Sequence, residues 1–411
     1  MVVKDGFDGA GSQTQIHSKE VAHITQAGVR MDHLELMGYI PMEIQDHSPH
    51  RSKPVSLWKE AVTNSSNNFR PLCLIAGKED YQMVKRIYDR YPVKQDPFPV
   101  SITTKSSTPR TITVKIDIHR SMCDGKARKI ISGRLGSWCP DCNMSSEDIH
   151  TASKLRRPIV MKFAHFEDLE KACDDTKIGG DIDLDLPSKA RHGFTENPLG
   201  KPQGMAVLHA AMNTARWILD KIAKAEACVE GGEKELKMLS EMRDGFTGEN
   251  AKRVKDSQDK FAARVLEATN GEVDVKRQIG YSQTGDGLIG EKAKTLLKKG
   301  ETVLNVMRNK TVADKMKPVV ENLYKITSFL GSRDRTNPED YFKLCRDTHI
   351  LILESLPWAR ISPTVHQILD HSWEWVLWNN GQGLCDWAED GLEAMQKTTR
   401  NTRNLHAYRG K

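Results

Sequence analysis

Two short stretches carry side chains suited to holding a metal ion. Cys139 and Cys142 stand three positions apart in G-S-W-C-P-D-C-N, and His366 and His371 stand five apart in P-T-V-H-Q-I-L-D-H-S-W. A structural zinc site needs four soft or borderline donors in a tetrahedron, and a Cys-x-x-Cys pair with a His-x₄-His pair supplies them. Alone, the cysteines also read as ordinary thiols and the histidines as surface groups. Together they favour a long-range Cys₂His₂ clasp. On a regular helix a step of five residues carries the second histidine about 140° away from the first. The first must therefore sit at a helix start, or the turn between them must be distorted. The remaining cysteines (Cys73, Cys123, Cys173, Cys228, Cys345 and Cys385) are single. With no secretory signal at the N-terminus, they read as free thiols and not as a disulfide framework.

Three acids occupy positions where cation chemistry is conceivable. Asp8, in the opening run V-V-K-D-G-F-D-G-A-G, is expected to end the first strand, followed by glycines that would let a cation or phosphate approach the backbone. Asp124 follows T-I-T-V-K-I-D-I-H in M-C-D-G-K, and Glu393 lies in W-A-E-D-G-L-E-A-M-Q-K. Nucleases that work through two divalent ions need carboxylates converging from distant parts of the chain, to hold the metals about 4 Å apart. Any one of the 55 acids, taken singly, reads as a solvated surface charge. Beyond Glu393 come Lys397, Arg400, Arg403, Arg409 and Lys411 with no acid among them. Such a tail suits contacts to a phosphate backbone, or else is a solvated terminus. Trp373, Trp375 and Trp378, near helical spacing, read as core, with stacking on unpaired bases as the alternative. Gly285, Gly287 and Gly290 match G-x-G-x-x-G, but the preceding segment is too polar for a buried strand and Glu291 stands where a phosphate loop needs Lys. ATP-driven chemistry has no visible home.

The elements that must position these groups change character along the chain. The first third is strand-rich: the opening run, the alternating H-L-E-L-M-G-Y-I-P-M-E-I and T-I-T-V-K-I-D-I-H, and the apolar R-P-L-C-L-I-A-G, suited to a central strand. Between them, residues 79–91 have apolar positions at helical spacing. Residues 203–230, 233–268, 290–310, 312–330 and 338–356 are long segments with helical periodicity, punctuated at Gly231-Gly232, Asn270-Gly271 and Asn337-Pro338. Residues 181–186, D-I-D-L-D-L, read as an edge strand or an acidic loop. With 411 residues, 38% hydrophobic and 28% charged, the chain is long enough for two to three domains and has a globular composition. The net charge of +6 is modest but uneven, with eight acids against two lysines between Glu167 and Asp185. No apolar run is long enough to cross a bilayer.

Five islands, in order, resemble the Transib-type DNA transposases and the related V(D)J recombination-activating protein. V-K-D-G-F-D-G-A-G looks like the first catalytic strand, with Asp8 in the aspartate position. R-P-L-C-L-I-A-G-K-E is similar to an island whose extra acid falls on Glu79. M-C-D-G-K with C-P-D-C resembles the island of the second aspartate, Asp124, and of the first two zinc ligands. T-V-H-Q-I-L-D-H matches the zinc histidines, and D-W-A-E-D-G-L-E-A-M-Q-K-T-T-R the segment of the catalytic glutamate, Glu393. Met395 and Gln396 depart from the family's more polar pattern there.

The resemblance implies an α/β fold: an RNase H-like mixed-sheet catalytic domain over 1–138, a mostly helical zinc-binding insertion over 139–380, and a helical segment over 381–411 that carries Glu393. It implies two Mg²⁺ (or Mn²⁺) ions on Asp8, Asp124 and Glu393, with Glu79 auxiliary, and one structural Zn²⁺ on Cys139, Cys142, His366 and His371. The zinc would tie the end of the sheet domain to the helices that deliver Glu393. Lys397, Arg400 and Arg403 would contact double-stranded DNA in the nucleus; the family's chains act as homodimers through N-terminal domains that this sequence does not show, and an accessory protein is a further partner. The expected activity is nicking followed by transesterification. The family's chains extend further at the N-terminus, so this sequence reads as a truncated or domesticated core. The alternative is a zinc-stabilised DNA- or protein-binding module without catalysis.

Overall fold

The structure is a computed structural model that describes residues 1–10, 34–47, 53–76, 97–102, 110–119, 121–123, 205–228, 233–241, 249–275 and 290–390, together with isolated positions that include Cys139, Asp141, Met144, Glu147, Leu392 and Met395. The strands are β1 (Val2–Ala10), β2 (Leu34–Asp46), β3 (Val55–Lys59), β4 (Arg70–Ala76), β5 (Phe98–Ile102), β6 (Arg110–Val114) and β7 (Asp117–His119). The helices are α1 (Val207–Ala227), α2 (Glu233–Glu241), α3 (Glu249–Ala268), α4 (Gly290–Lys298), α5 (Gly300–Asn305), α6 (Lys310–Leu330), α7 (Pro338–Ser355), the single turn α8 (Pro363–His366) and α9 (Ser372–Trp378). None of the described helices is long and apolar enough to cross a membrane.

The chain divides into two compact units. One joins residues 1–134, 196–206 and 386–411; the other joins 135–195 and 207–385. In the first unit β2 lies antiparallel to β1, with Asp8 opposite Leu36, and its far side pairs with β3 at one end and β4 at the other. β7 runs parallel to β1 on its other side, Lys4 opposite His119. The sheet is therefore mixed, with one parallel pair in an otherwise antiparallel set. Two expectations need correction. The run 111–119 is not one strand: it breaks after Val114, so that β6 joins β5 in a separate hairpin and only β7 reaches the main sheet. The apolar β4 is not central but pairs with β2 alone among the described strands. Its Pro71 lacks an N–H and sits where the register with β2 shifts, a place that tolerates a missing ladder bond.

Leu36, Ile40, Met42, Phe69, Met122 and Leu392 form a buried core in this unit, with Val2, Trp387 and Met395 packed at its margin. Gly38 in mid-strand is what lets Phe69 in: a Cβ there would lie 2.2 Å from the Phe69 ring and 2.6 Å from the Arg70 carbonyl oxygen. Met395 packs as an apolar side chain against this core.

In the second unit the periodic segments are helices, but 233–268 and 290–310 each divide in two. Starts are capped by short polar side chains. Asn309 accepts from Val312 N–H, Asn337 from Glu339 N–H ahead of Pro338, and Ser362 from Val365 N–H ahead of Pro363. α1 is central, packing against α3, α4, α6 and α8. Its buried Glu226 takes the Arg264 guanidinium and the Arg308 backbone N–H (2.6 Å), joining α1 to α3 and to the entry of α6. Residues 79–91 and 181–186 lie outside the described residues.

Candidate metal centre

The histidine pair resolves its spacing problem by a distorted turn. Ser362 and Pro363 start α8, which ends at His366; the next five residues, Gln367–His371, form a single π turn; α9 then continues from Ser372. A π turn bonds residue i to i+5 instead of i+4, so it brings a five-residue step back to one face. His366 and His371 consequently face each other with ring centroids 4.8 Å apart and planes at 89°, and their Nε2 atoms are 3.1 Å apart. A wide turn disturbs the regular carbonyl ladder, and side chains compensate. Ser372 Oγ donates to Ile368 O (2.5 Å) and Trp373 Nε1 donates to Asp370 O (3.1 Å). With its proton so used, Ser372 Oγ accepts from Tyr341 O–H (3.1 Å), which fastens the turn to α7.

Cys139 completes the cluster. Its backbone N–H donates to Met144 O (2.8 Å), and Asp141 accepts from Gln367 Nε2 of the π turn. The donor atoms of Cys139, His366 and His371 all lie within 4.8 Å of one another, and all three residues are fully buried. These three residues could hold a metal ion. The fit is testable on distances: Zn–N bonds of 2.0–2.1 Å in a tetrahedron put two nitrogens about 3.4 Å apart, close to the 3.1 Å seen here.

The surroundings favour a cation. Asp370 is buried and accepts from His366 Nδ1 (2.5 Å) through one oxygen and from His349 Nδ1 (2.8 Å) through the other. Assigned from this network, His366 carries its proton on Nδ1, which leaves the Nε2 lone pair aimed at the cluster. Burial opposes ionisation of Asp370, yet the two imidazoles outweigh it and hold the carboxyl well below the usual carboxylate range. Burial likewise opposes charge on His366, but Asp370 and the Cys139 thiol raise it to about 9. His371 is also raised, against burial, by Cys139 and Glu374. Burial pushes the Glu374 carboxyl up to about 8, with His371 pulling against it. A site that attracts protons this strongly offers the same lone pairs to a metal ion, which displaces them.

The structure brings Cys139, His366 and His371 together, whereas Cys142 lies outside the described residues. These three belong to one compact unit. Of the acids, Asp8 lies in β1, while Asp124, Glu79 and Glu393 lie outside the described residues, as do Lys397, Arg400 and Arg403. Trp373 and Trp375 are buried and make edge contacts with Phe342 and Trp378, so the core reading of these rings holds. Gly290 opens α4 with Leu208 of α1 2.2 Å from where its Cβ would be, a helix-packing role. Sequence reasoning missed Asp370, His349 and Glu374. Asp370 stands four residues after His366, a spacing that places two side chains on one helical face, and this was the available signal. No protein-family model matches the chain, and no curated protein matches it by sequence.

Proposed function

We propose that the chain is a DDE-type DNA transposase or recombinase core with an RNase H-like sheet, stabilised by one structural zinc and acting on double-stranded DNA in the nucleus. The observation that supports this most is the composition of the core beneath the sheet. Leu36 stands opposite Asp8 in the β1–β2 register, Met122 lies two residues before Asp124, and Leu392 immediately precedes Glu393. One apolar cluster thus holds the cross-strand partner of Asp8 and the near chain neighbours of Asp124 and Glu393, three acids that stand far apart in sequence. The strand directions agree. From the Lys4–His119 pairing, β1 and β7 run in the same direction; Asp8 lies further along β1, and Asp124 follows β7 by five residues in sequence.

Three carboxylates are hard oxygen donors and suit Mg²⁺ or Mn²⁺; when bound, two such ions activate the attacking hydroxyl and stabilise the leaving oxygen. Asp8, Asp124 and Glu393 would hold them, with Glu79 auxiliary. Water would first nick one strand, and the freed 3′-hydroxyl would attack the other. Each transfer exchanges one phosphodiester for another, so no ATP is consumed. Lys397, Arg400 and Arg403 would position the DNA through its phosphates. Cys142 would supply the fourth zinc donor beside Cys139, His366 and His371.

Linear and pre-nicked duplexes incubated with Mg²⁺ or Mn²⁺ and resolved on denaturing gels test the proposal. Metal-dependent nicks or hairpins are expected from the wild type and from neither Asp124→Asn nor Glu393→Gln. A folded, zinc-loaded protein that cuts nothing would instead be a zinc-stabilised binding module.

A further inference from the structure

Glu374 is a buried acid of the helical unit. It lies on α9, 1% exposed, and among the described residues neither of its oxygens has a hydrogen-bond partner. Burying an unpaired carboxyl is costly, and nothing on α9 compensates for it. Its near neighbour is His371: Glu374 Oε2 lies 3.8 Å from His371 Nδ1. That distance is just beyond hydrogen-bond reach. Nδ1 is the nitrogen on the far side of the ring from the Nε2 that faces His366 and Cys139. Across the cluster, Asp370 stands in the same relation to His366, already at 2.5 Å.

We infer that Glu374 is the positioning residue for His371, taking up the His371 Nδ1–H when a metal ion occupies the Cys139–His366–His371 cluster. This rests on the metal-site reading. Each histidine then has its own carboxylate, Asp370 on one and Glu374 on the other, and both rings are held with Nε2 toward the ion. A histidine bound to metal through one nitrogen commonly donates its other N–H to a carboxylate, and loss of that partner weakens metal binding. Glu374 Oε2 thus stands 3.8 Å from the Nδ1 whose proton it would accept, and neither of its oxygens is engaged by another described residue.

The test uses the whole chain as wild type, Glu374→Ala and Glu374→Gln, with zinc affinity read by competition with a chromophoric chelator and ligand geometry read from the visible spectrum of the Co²⁺-substituted protein. Glu374→Ala is expected to bind zinc about 10- to 100-fold more weakly and to shift the Co²⁺ bands. Glu374→Gln, which keeps an acceptor oxygen, is expected to recover most of the affinity. In chelator, both variants should melt no lower than the wild type, because they remove a buried unpaired carboxyl. A purely structural role would show the reverse, a lower melting temperature without zinc and unchanged affinity. Equal affinity in Glu374→Ala and wild type overturns the inference and leaves the metal site standing. A wild type that binds no zinc overturns both.

Discussion

Asp370 carries two jobs on one carboxylate, and the consequences are sharp because it is buried. It fixes the tautomer of His366 from one oxygen and holds His349 of α7 from the other. Asn at this position has nearly the same shape but only one acceptor oxygen, so it cannot serve both imidazoles. Asp370→Asn is expected to weaken zinc binding about 10- to 100-fold, measured against a chelator of known affinity; zinc binding at the wild-type level would show that His366 needs no orienting partner. The three donors that meet, Cys139, His366 and His371, were legible from residue type and spacing. The carboxylates behind them were less so: Asp370 is marked only by its four-residue step from His366, and Glu374 stands among 55 acids without a mark until burial singles it out.

At the scale of elements, irregular positions do most of the placing. The π turn at Gln367–His371 turns a five-residue step into a facing pair, and Tyr341, Ser372 and Trp373 satisfy the groups around it. The sequence demanded some distortion here, because a regular helix would splay the histidines; which distortion depends on the hydroxyl and indole donors packed around the turn. In the sheet, Gly38 is the irregular position. Gly38→Ala would drive a methyl into the Phe69 ring and the Arg70 carbonyl, with strand pairing on both sides to resist movement. An expected loss of about 1–3 kcal/mol should appear as a lower denaturant midpoint with an unchanged slope, and an unchanged midpoint would mean that Phe69 repacks freely. The split of 111–119 into β6 and β7 shows the limit of pattern reading. Alternation in T-I-T-V-K-I-D-I-H marks an extended chain, but which neighbour each half pairs with is decided by the sheet already present.

Across the whole molecule, the metal cluster joins Cys139 to a pair of histidines more than two hundred positions later, and it lies inside the helical unit. An ion there binds the folded state and closes a long loop, so its removal should lower the stability of that unit. At free zinc 100-fold above Kd the contribution is about 2.7 kcal/mol, or about 5–10 °C in Tm for a unit of this size. Thermal melts with zinc and with chelator read this shift directly, and identical melts would remove the stabilising role of the metal. The C-terminal segment gains its place in the same global sense: Trp387, Leu392 and Met395 pack with the sheet core although the sheet strands lie at the other end of the chain.

By itself, the sequence determined the local states and the donor chemistry. Hydrophobic period set the strands of the first third and the helices of the second unit, Asn-Pro and Ser-Pro set the helix starts, and Cys-x-x-Cys with His-x₄-His marked candidate metal donors. Only the tertiary structure decided which distant groups meet: Cys139 with His366 and His371, Asp370 with both His349 and His366, and Leu392 with Leu36 and Met122. The physical reason is that periodicity and capping act within a few residues, whereas burial, shared carboxylates and strand partnership are properties of side chains that become neighbours only once the chain has closed on itself.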